Sequence, residues 1–284
     1  MSEQRTNSLS YHITAVKKGE RVFENAFQGV SRMILEGEID KVMVNGKNTF
    51  DFRIFRKGPK HIVGMYDEIN SFVSFIKDAS EGGSSAEMAF VLVGEPGNGK
   101  TFLVEYLCKL YRRFLSVPVN RRYTFRFVGL DKLGSYGNIT TIESQTYEDP
   151  LILAMNLEES RDESGAHLAR RYRIDRKMLE KWFENYRPLG ACSAYIWNNI
   201  REYTGGKLDD MLEFIELVPV PLVESLGTVT GKYPAKDKIT SSAVDLLGEE
   251  SIQRLLHITD TNNPYRFDLR RGALARVAGG GIHF

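Results

Sequence analysis

Apolar residues recur every three to four positions in several stretches of the chain, which is the pattern of amphipathic helices. The stretch 66–79 shows it, because Ile69 and Val73 fall on one helical face together with other apolar residues. A similar stretch at 21–36 is followed by Gly37, a residue type that commonly ends helices. The pattern predicts helices at 21–36, 66–79, 100–116, 175–186, 191–203, 251–258 and 270–278.

Other stretches favour strands. Residues 42–44 and 50–55 flank Asn45-Gly46, a dipeptide typical of a tight hairpin turn. The continuous apolar run 88–93 predicts a buried strand. The remaining strand candidates are 124–130, 151–155 and 214–223, and the last is interrupted by Pro219 and Pro221, so we expect it at a sheet edge or in an irregular segment.

The sequence Lys57-Gly58-Pro59 breaks both patterns and is our predicted boundary. We expect a small, mainly helical N-terminal region at 1–58 and a larger domain at 59–284. A long insertion is expected within the larger domain at about 135–240.

One motif with specific chemistry follows the apolar run 88–93. It matches G-x-x-x-x-G-K-[ST], the phosphate-binding P-loop, at every constrained position. Glycines let backbone N–H groups turn towards phosphate oxygens, Lys100 would reach the β- and γ-phosphates, and the Thr101 hydroxyl would bind Mg²⁺. The alternative is a glycine-rich turn that binds nothing. The predicted ATP-binding residues are Gly94, Glu95, Pro96, Gly97, Asn98, Gly99, Lys100 and Thr101.

A strand, a glycine-rich loop and a helix in this order predict an α/β fold. We expect a P-loop NTPase with a mainly parallel sheet, in which the nucleotide lies at the carboxyl ends of the strands.

Composition narrows the function classes. The 284 residues include 38 basic and 37 acidic side chains, a formal net charge of +1, which gives no sign of a nucleic-acid or membrane partner. No run of apolar residues is long enough to indicate a membrane span. The two cysteines, Cys108 and Cys192, and the absence of an apolar signal segment favour a reducing, cytoplasmic compartment.

Other candidate residues show weaker patterns. The five histidines lack metal-ligand spacing. The basic run 167–177 lies beside acidic residues of a predicted helix. We therefore interpret it as a solvated face or a protein contact rather than a nucleic-acid contact.

A P-loop ATPase also needs an acidic pair after a second strand, to hold Mg²⁺ and orient water. Glu158 and Glu159 follow the run 151–155 too late, so we interpret that run as a structural strand. At 270–284 a predicted helix, a glycine cluster and an apolar strand contain no such pair. We therefore expect the chain to be C-terminally incomplete, with the acidic residues beyond Phe284, and to hydrolyse ATP weakly or not at all.

The combination of motifs resembles the N-terminal AAA+ portion of PrkA-type serine protein kinases, over roughly residues 50–284. Besides the P-loop, the resemblance is carried by His61-Ile62-Val63-Gly64-Met65, Asp149-Pro150-Leu151 with Asn156, the helical region 172–190, and Arg270-Arg271-Gly272-Ala273-Leu274 through Gly279-Gly280-Gly281-Ile282.

The resemblance implies an AAA+-like site for ATP and Mg²⁺, with Ile62, Val63 and Gly64 against the adenine. The alternative for Ile62 and Val63 is a core position at the start of a helix. The resemblance also implies a serine protein kinase that acts on a protein substrate, and it is compatible with a homo-oligomer of the full-length protein. The alternatives are an AAA+ motor for protein remodelling or proteolysis, and a regulatory module that binds nucleotide without hydrolysing it.

Overall fold

The computed structural model describes residues 8–159, 166–223, 228–231, 245–246, 248–250, 263, 269–278 and 281–283. The chain falls into two compact units, Glu24–Val117 and Met1–Phe23 with Pro118–Phe284. The units therefore divide the chain at positions other than the sequence-based boundary near residue 58.

The α-helices in chain order are α1 Leu9–Lys17, α2 Ala26–Leu35, α3 Tyr66–Ser80, α4 Lys100–Leu115, α5 Pro150–Glu159, α6 Ala166–Tyr172, α7 Arg176–Glu184, α8 Ala191–Tyr203, α9 Leu208–Leu212 and α10 Ala273–Val277. The strands are β1 Ile39–Val44, β2 Lys47–Phe52, β3 Tyr123–Val128, β4 Thr141–Glu143, β5 Ile215–Pro219, β6 Thr230–Gly231, β7 Gly248–Glu250, β8 Leu269–Arg271 and β9 Ile282–His283. Short 3₁₀ helices occur at Arg53–Arg56, Ser84–Glu87, Pro118–Asn120 and Leu130–Leu133. None of the helices in the described part of the chain combines the length and apolar character of a bilayer span.

The unit Glu24–Val117 is built on the predicted hairpin, which is confirmed. Strands β1 and β2 pair antiparallel with Val44 opposite Lys47. Asn45 and Gly46 between them have φ of 49° and 75°, as a type I′ turn requires. Helix α3 packs against β2 and α2, and its apolar face, which includes Ile69, is buried.

Helix α2 begins later than the predicted start at residue 21. Asn25 is its N-cap, and its side chain accepts a hydrogen bond from the Gln28 backbone N–H. The Gln28 side chain in turn accepts from the Asn25 backbone N–H, which completes a capping box. This reciprocal pair fixes the helix start because it satisfies N–H groups that would otherwise lack partners.

The larger unit has its core between a three-stranded sheet and surrounding helices. The strand order is β4–β3–β5, so β5 is an edge strand, as the two prolines predicted. Phe125 and Phe127 of β3 and Trp197 of α8 are completely buried in this core.

The predicted P-loop NTPase fold with a mainly parallel sheet is wrong. Strand β3 pairs antiparallel with both β4 and β5. Within the described residues, parallel pairing joins only β6 to β9, which have two residues each.

The run 88–93 is not a buried sheet strand. Its residues pair with no strand in the described part of the chain. The ring of Phe90 instead packs 5.3 Å from the rings of Phe72 and Phe75 on α3, while Val91 and Val93 are 72% and 90% exposed. Helix α3 therefore covers the Phe90 side of the run, and a neighbouring strand is not needed to cover it.

The run 151–155, interpreted as a structural strand, is helical and belongs to α5. Pro150 occupies the first helical position, where its missing N–H costs nothing. All five residues of the run are buried. A helix that is buried all round shows no period, so the run could not be distinguished from a strand by its sequence. The predicted helix 251–258 lies outside the described residues.

Candidate functional site

The P-loop residues form the turn that leads into α4. Gly97 and Gly99 have φ of 89° and 75°, a region that other residues adopt only with strain. Gly99 is the N-cap of α4, so no side chain covers the first backbone N–H groups of this 16-residue helix. The first turn contains no acidic residue. The helix therefore presents N–H donors and the positive end of its dipole towards the loop.

Lys100 folds back over its own loop. Its ammonium group donates hydrogen bonds to the carbonyl oxygens of Gly94, at 2.7 Å, and Glu95, at 2.6 Å. The backbone N–H of Asn98 points to the Glu95 carbonyl at 3.4 Å. The loop thus holds the cation over the turn that the motif assigns to phosphates.

Most of the predicted phosphate-binding residues are accessible. Gly99 and Lys100 are half-buried, whereas the exposed members are Gly94, Glu95, Pro96, Gly97, Asn98 and Thr101. Thr101, the predicted Mg²⁺ ligand, is in the first turn of α4 directly after Lys100. The described residues contain no group of three or more His, Cys, Asp or Glu side chains that could hold a metal ion.

The predicted adenine-side residues lie on the segment that precedes α3. Ile62 is 2% exposed and its N–H donates to the Phe55 carbonyl at 3.0 Å, so it occupies a core position. Val63 is 79% exposed. Gly64 and Met65 both have positive φ, 70° and 54°, and turn the chain into the helix.

The segment 62–65 lies beside the P-loop. A Cβ atom added to Gly99 would be 3.5 Å from the sulfur of Met65. The structure therefore brings Met65 next to Gly99, and the exposed Val63 and half-buried Gly64 directly precede Met65 in the chain.

Two residues that the sequence did not indicate hold these parts together. Arg56 donates to the carbonyl oxygens of Ile62 and Gly64, at 2.5 and 3.0 Å. Tyr106 of α4 donates to the carbonyls of Ile54, at 3.3 Å, and Lys57. Burial raises the pKa of Tyr106, with an opposing effect from Arg113. No motif marks either residue, because their partners are backbone carbonyls of a segment without periodicity.

The chain reaches the run 88–93 through a turn that is fixed by Asp78. The Asp78 carboxylate accepts a hydrogen bond from the Ser85 backbone N–H at 3.0 Å. Hydrogen bonds from the side chain and backbone of Ser85 lower the pKa of Asp78. The Gly83 N–H also donates to the Asp78 carbonyl, at 2.9 Å, so this turn holds the end of α3 in place.

The remaining acidic candidates of the sequence do not belong to the unit Glu24–Val117. Glu158 and Glu159 end helix α5 in the other unit, and Phe284 lies outside the described residues. In the basic run, Arg171 pairs with Asp209 and lowers the pKa of that carboxyl group.

No family model, no curated protein and no solved structure matches the chain.

Proposed function

We propose that the chain binds ATP with Mg²⁺ through Gly94–Thr101, and that the position of Lys100 over the loop is the observation that best supports this function. Its ammonium group is bound by two carbonyl oxygens of the loop. A phosphate group offers this cation charged oxygens, which form stronger hydrogen bonds than neutral carbonyls do. Nucleotide binding would therefore exchange these two contacts for contacts with the β- and γ-phosphates.

The helix start favours the same ligand. The first N–H groups of α4 have no side-chain cap, and phosphate oxygens are suitable acceptors for such groups. The exposed Thr101 hydroxyl is available to a Mg²⁺ ion that is bound to the phosphates. The exposed Val63 and the half-buried Gly64 are the residues that we expect to contact the nucleotide base.

We also propose that the bound ATP serves a serine protein kinase of the PrkA type that acts on a protein substrate in the cytoplasm. The support is the resemblance of residues 61–65, the P-loop and the later motifs. The cytoplasmic compartment is supported by Cys108 and Cys192, which the structure leaves as thiols. Transfer of labelled phosphate from ATP to serine in a protein acceptor would test the kinase assignment, and a lack of transfer by the full-length protein would contradict it.

Calorimetry with ATP–Mg²⁺ tests the binding site itself. Lys100→Ala removes the cation and should weaken binding by about 2 kcal/mol or more, as for the loss of a charged hydrogen-bond partner. Lys109→Ala removes an exposed lysine of the same helix and is the matched control. The affinity of the control should equal that of the wild type. Equal affinities of Lys100→Ala and the wild type would contradict the site.

A further inference from the structure

Arg56 is the residue that fixes the segment next to the P-loop. One of its guanidinium nitrogens donates to both Ile62 O and Gly64 O, at 2.5 and 3.0 Å. These two carbonyls flank Val63, the most exposed residue of the segment. Both hydrogen bonds come from the same side chain, so a single substitution removes the side-chain donor on both sides of Val63.

The guanidinium group is itself held in one orientation. Its Nε donates to the Asp51 carboxylate of β2 at 2.8 Å, and each of the two side chains is only 15% exposed. The ring of Tyr66, the first residue of α3, lies 4.5 Å from the guanidinium carbon. An ion pair and an aromatic ring together restrict a planar cation more than either contact does alone.

A closed set of contacts connects Arg56 to the P-loop helix. Tyr106 of α4 donates to the carbonyls of Ile54 and Lys57, which are close to Arg56 on either side in the sequence. At the other end, Met65 lies against Gly99, the N-cap of α4. The 3₁₀ helix with Arg56, the segment 62–65 and the start of α4 therefore support one another.

We propose that Arg56 is a positioning residue for nucleotide recognition, which holds Val63 and Gly64 where the sugar and base of the bound nucleotide lie. This rests on the proposed ATP site. The hydrogen bonds of Arg56 go to Asp51, Ile62 and Gly64 and its ring contact is with Tyr66, so it acts on the base-dependent part of the affinity. The phosphate-dependent part belongs to Lys100, Thr101 and the helix start.

The test compares two ligands, ATP–Mg²⁺ and inorganic tripolyphosphate–Mg²⁺, by calorimetry. Arg56→Met should reduce the affinity for ATP by about tenfold, since two backbone carbonyls lose a charged donor. It should change the affinity for tripolyphosphate by less than about twofold, because this ligand has no base. Asp51→Asn, which leaves the guanidinium in place but weakens its orientation, should give a smaller loss for ATP alone. Arg56→Lys should recover part of the lost ATP affinity.

Arg53→Met is the matched control. Arg53 lies on the same 3₁₀ helix but pairs with Asp40 on the surface, where the side chains are 53% and 43% exposed. The variant Arg53→Met should leave the affinities for ATP and for tripolyphosphate unchanged. If Arg56→Met does not fold, Asp51→Asn and Arg56→Lys give the same ligand comparison.

The outcomes separate this proposal from the proposed site. An unchanged ATP affinity in the Arg56 variants, or equal losses for both ligands, would overturn the positioning role while wild-type binding of tripolyphosphate still supported the phosphate site. If the wild type bound neither ligand, the proposed function would be wrong, and the role of Arg56 would be overturned with it.

Discussion

The ammonium group of Lys100 lies 2.7 Å from the carbonyl oxygen of Gly94, the first residue of the P-loop motif. A cation held by neutral oxygens gains when a phosphate replaces them, because the new hydrogen bonds join opposite charges. The same contact keeps the Lys100 ammonium group next to the loop, where we expect the phosphates to bind, in the absence of a ligand. Less side-chain freedom should then be lost when a nucleotide binds.

Thr101 should determine how strongly ATP binding depends on Mg²⁺. Thr101→Ala removes the hydroxyl that would reach the ion and should weaken ATP–Mg²⁺ binding by about 1–2 kcal/mol. ATP affinity in the presence of a chelator should change little, because the phosphate contacts remain. Thr101→Ser retains the hydroxyl and should bind like the wild type. Calorimetry measures the ATP affinity of each variant with Mg²⁺ and with a chelator. If Thr101→Ala lost the same affinity under the two conditions, a role of Thr101 at the metal would be contradicted.

Gly99 should be required for the shape of the loop. Its φ of 75° means that Gly99→Ala introduces backbone strain of about 1–2 kcal/mol. Gly46, in the hairpin turn, has the same φ, and a Cβ added there would meet no atom within 4 Å, whereas at Gly99 it would lie in ordinary contact with the Met65 sulfur. Gly46→Ala is therefore a control for strain away from the site. Both variants should lose similar stability in thermal unfolding, but only Gly99→Ala should lose ATP affinity. If both variants lost ATP affinity, the loss would come from reduced stability of the unit and not from the shape of the loop.

Asp78 should contribute stability that depends on pH. Its pKa is lowered by hydrogen bonds from Ser85, so the folded state favours the carboxylate. The contribution is present above the unfolded pKa and is lost as the pH falls through the lower, folded pKa. Ser85→Ala removes the hydroxyl and should raise the pKa of Asp78 towards its ordinary value.

An NMR titration of the Asp78 carboxyl group measures this change. Ser80→Ala is the control, since the Ser80 hydroxyl donates to the Lys77 carbonyl and not to Asp78. The Asp78 pKa should be the same in this control and the wild type. If the Asp78 pKa in Ser85→Ala equalled that of the wild type, the Ser85 hydroxyl would not bind the Asp78 carboxylate.

The sequence predicted those parts of the fold that depend on local patterns. Helices α3 and α8 were placed to within a residue, because each has an amphipathic period. The hairpin followed from Asn45-Gly46, whose left-handed conformations are a local property of these residue types. The turn at Gly94–Gly99 also follows from a local property, since three of its glycines have positive φ, and phosphate binding there stays a prediction.

The sheet could not be predicted because apolar runs do not specify their partners. The run 88–93 packs on α3 through Phe90, and the run 151–155 is a buried helix. Arg56 was missed for a related reason. Its acceptors are carbonyls six and eight positions later in an irregular segment, and no sequence pattern connects an arginine to such groups.

Hydrogen exchange of the backbone amides with and without ATP–Mg²⁺ tests the central claim most directly, because it reports where the nucleotide binds. The account predicts slower exchange in the P-loop and the first turn of α4, with a smaller effect at residues 62–65. Residues 39–52 of the hairpin serve as the internal reference and should not change. Protection elsewhere in the chain, or an unchanged P-loop at saturating ATP, would contradict the account.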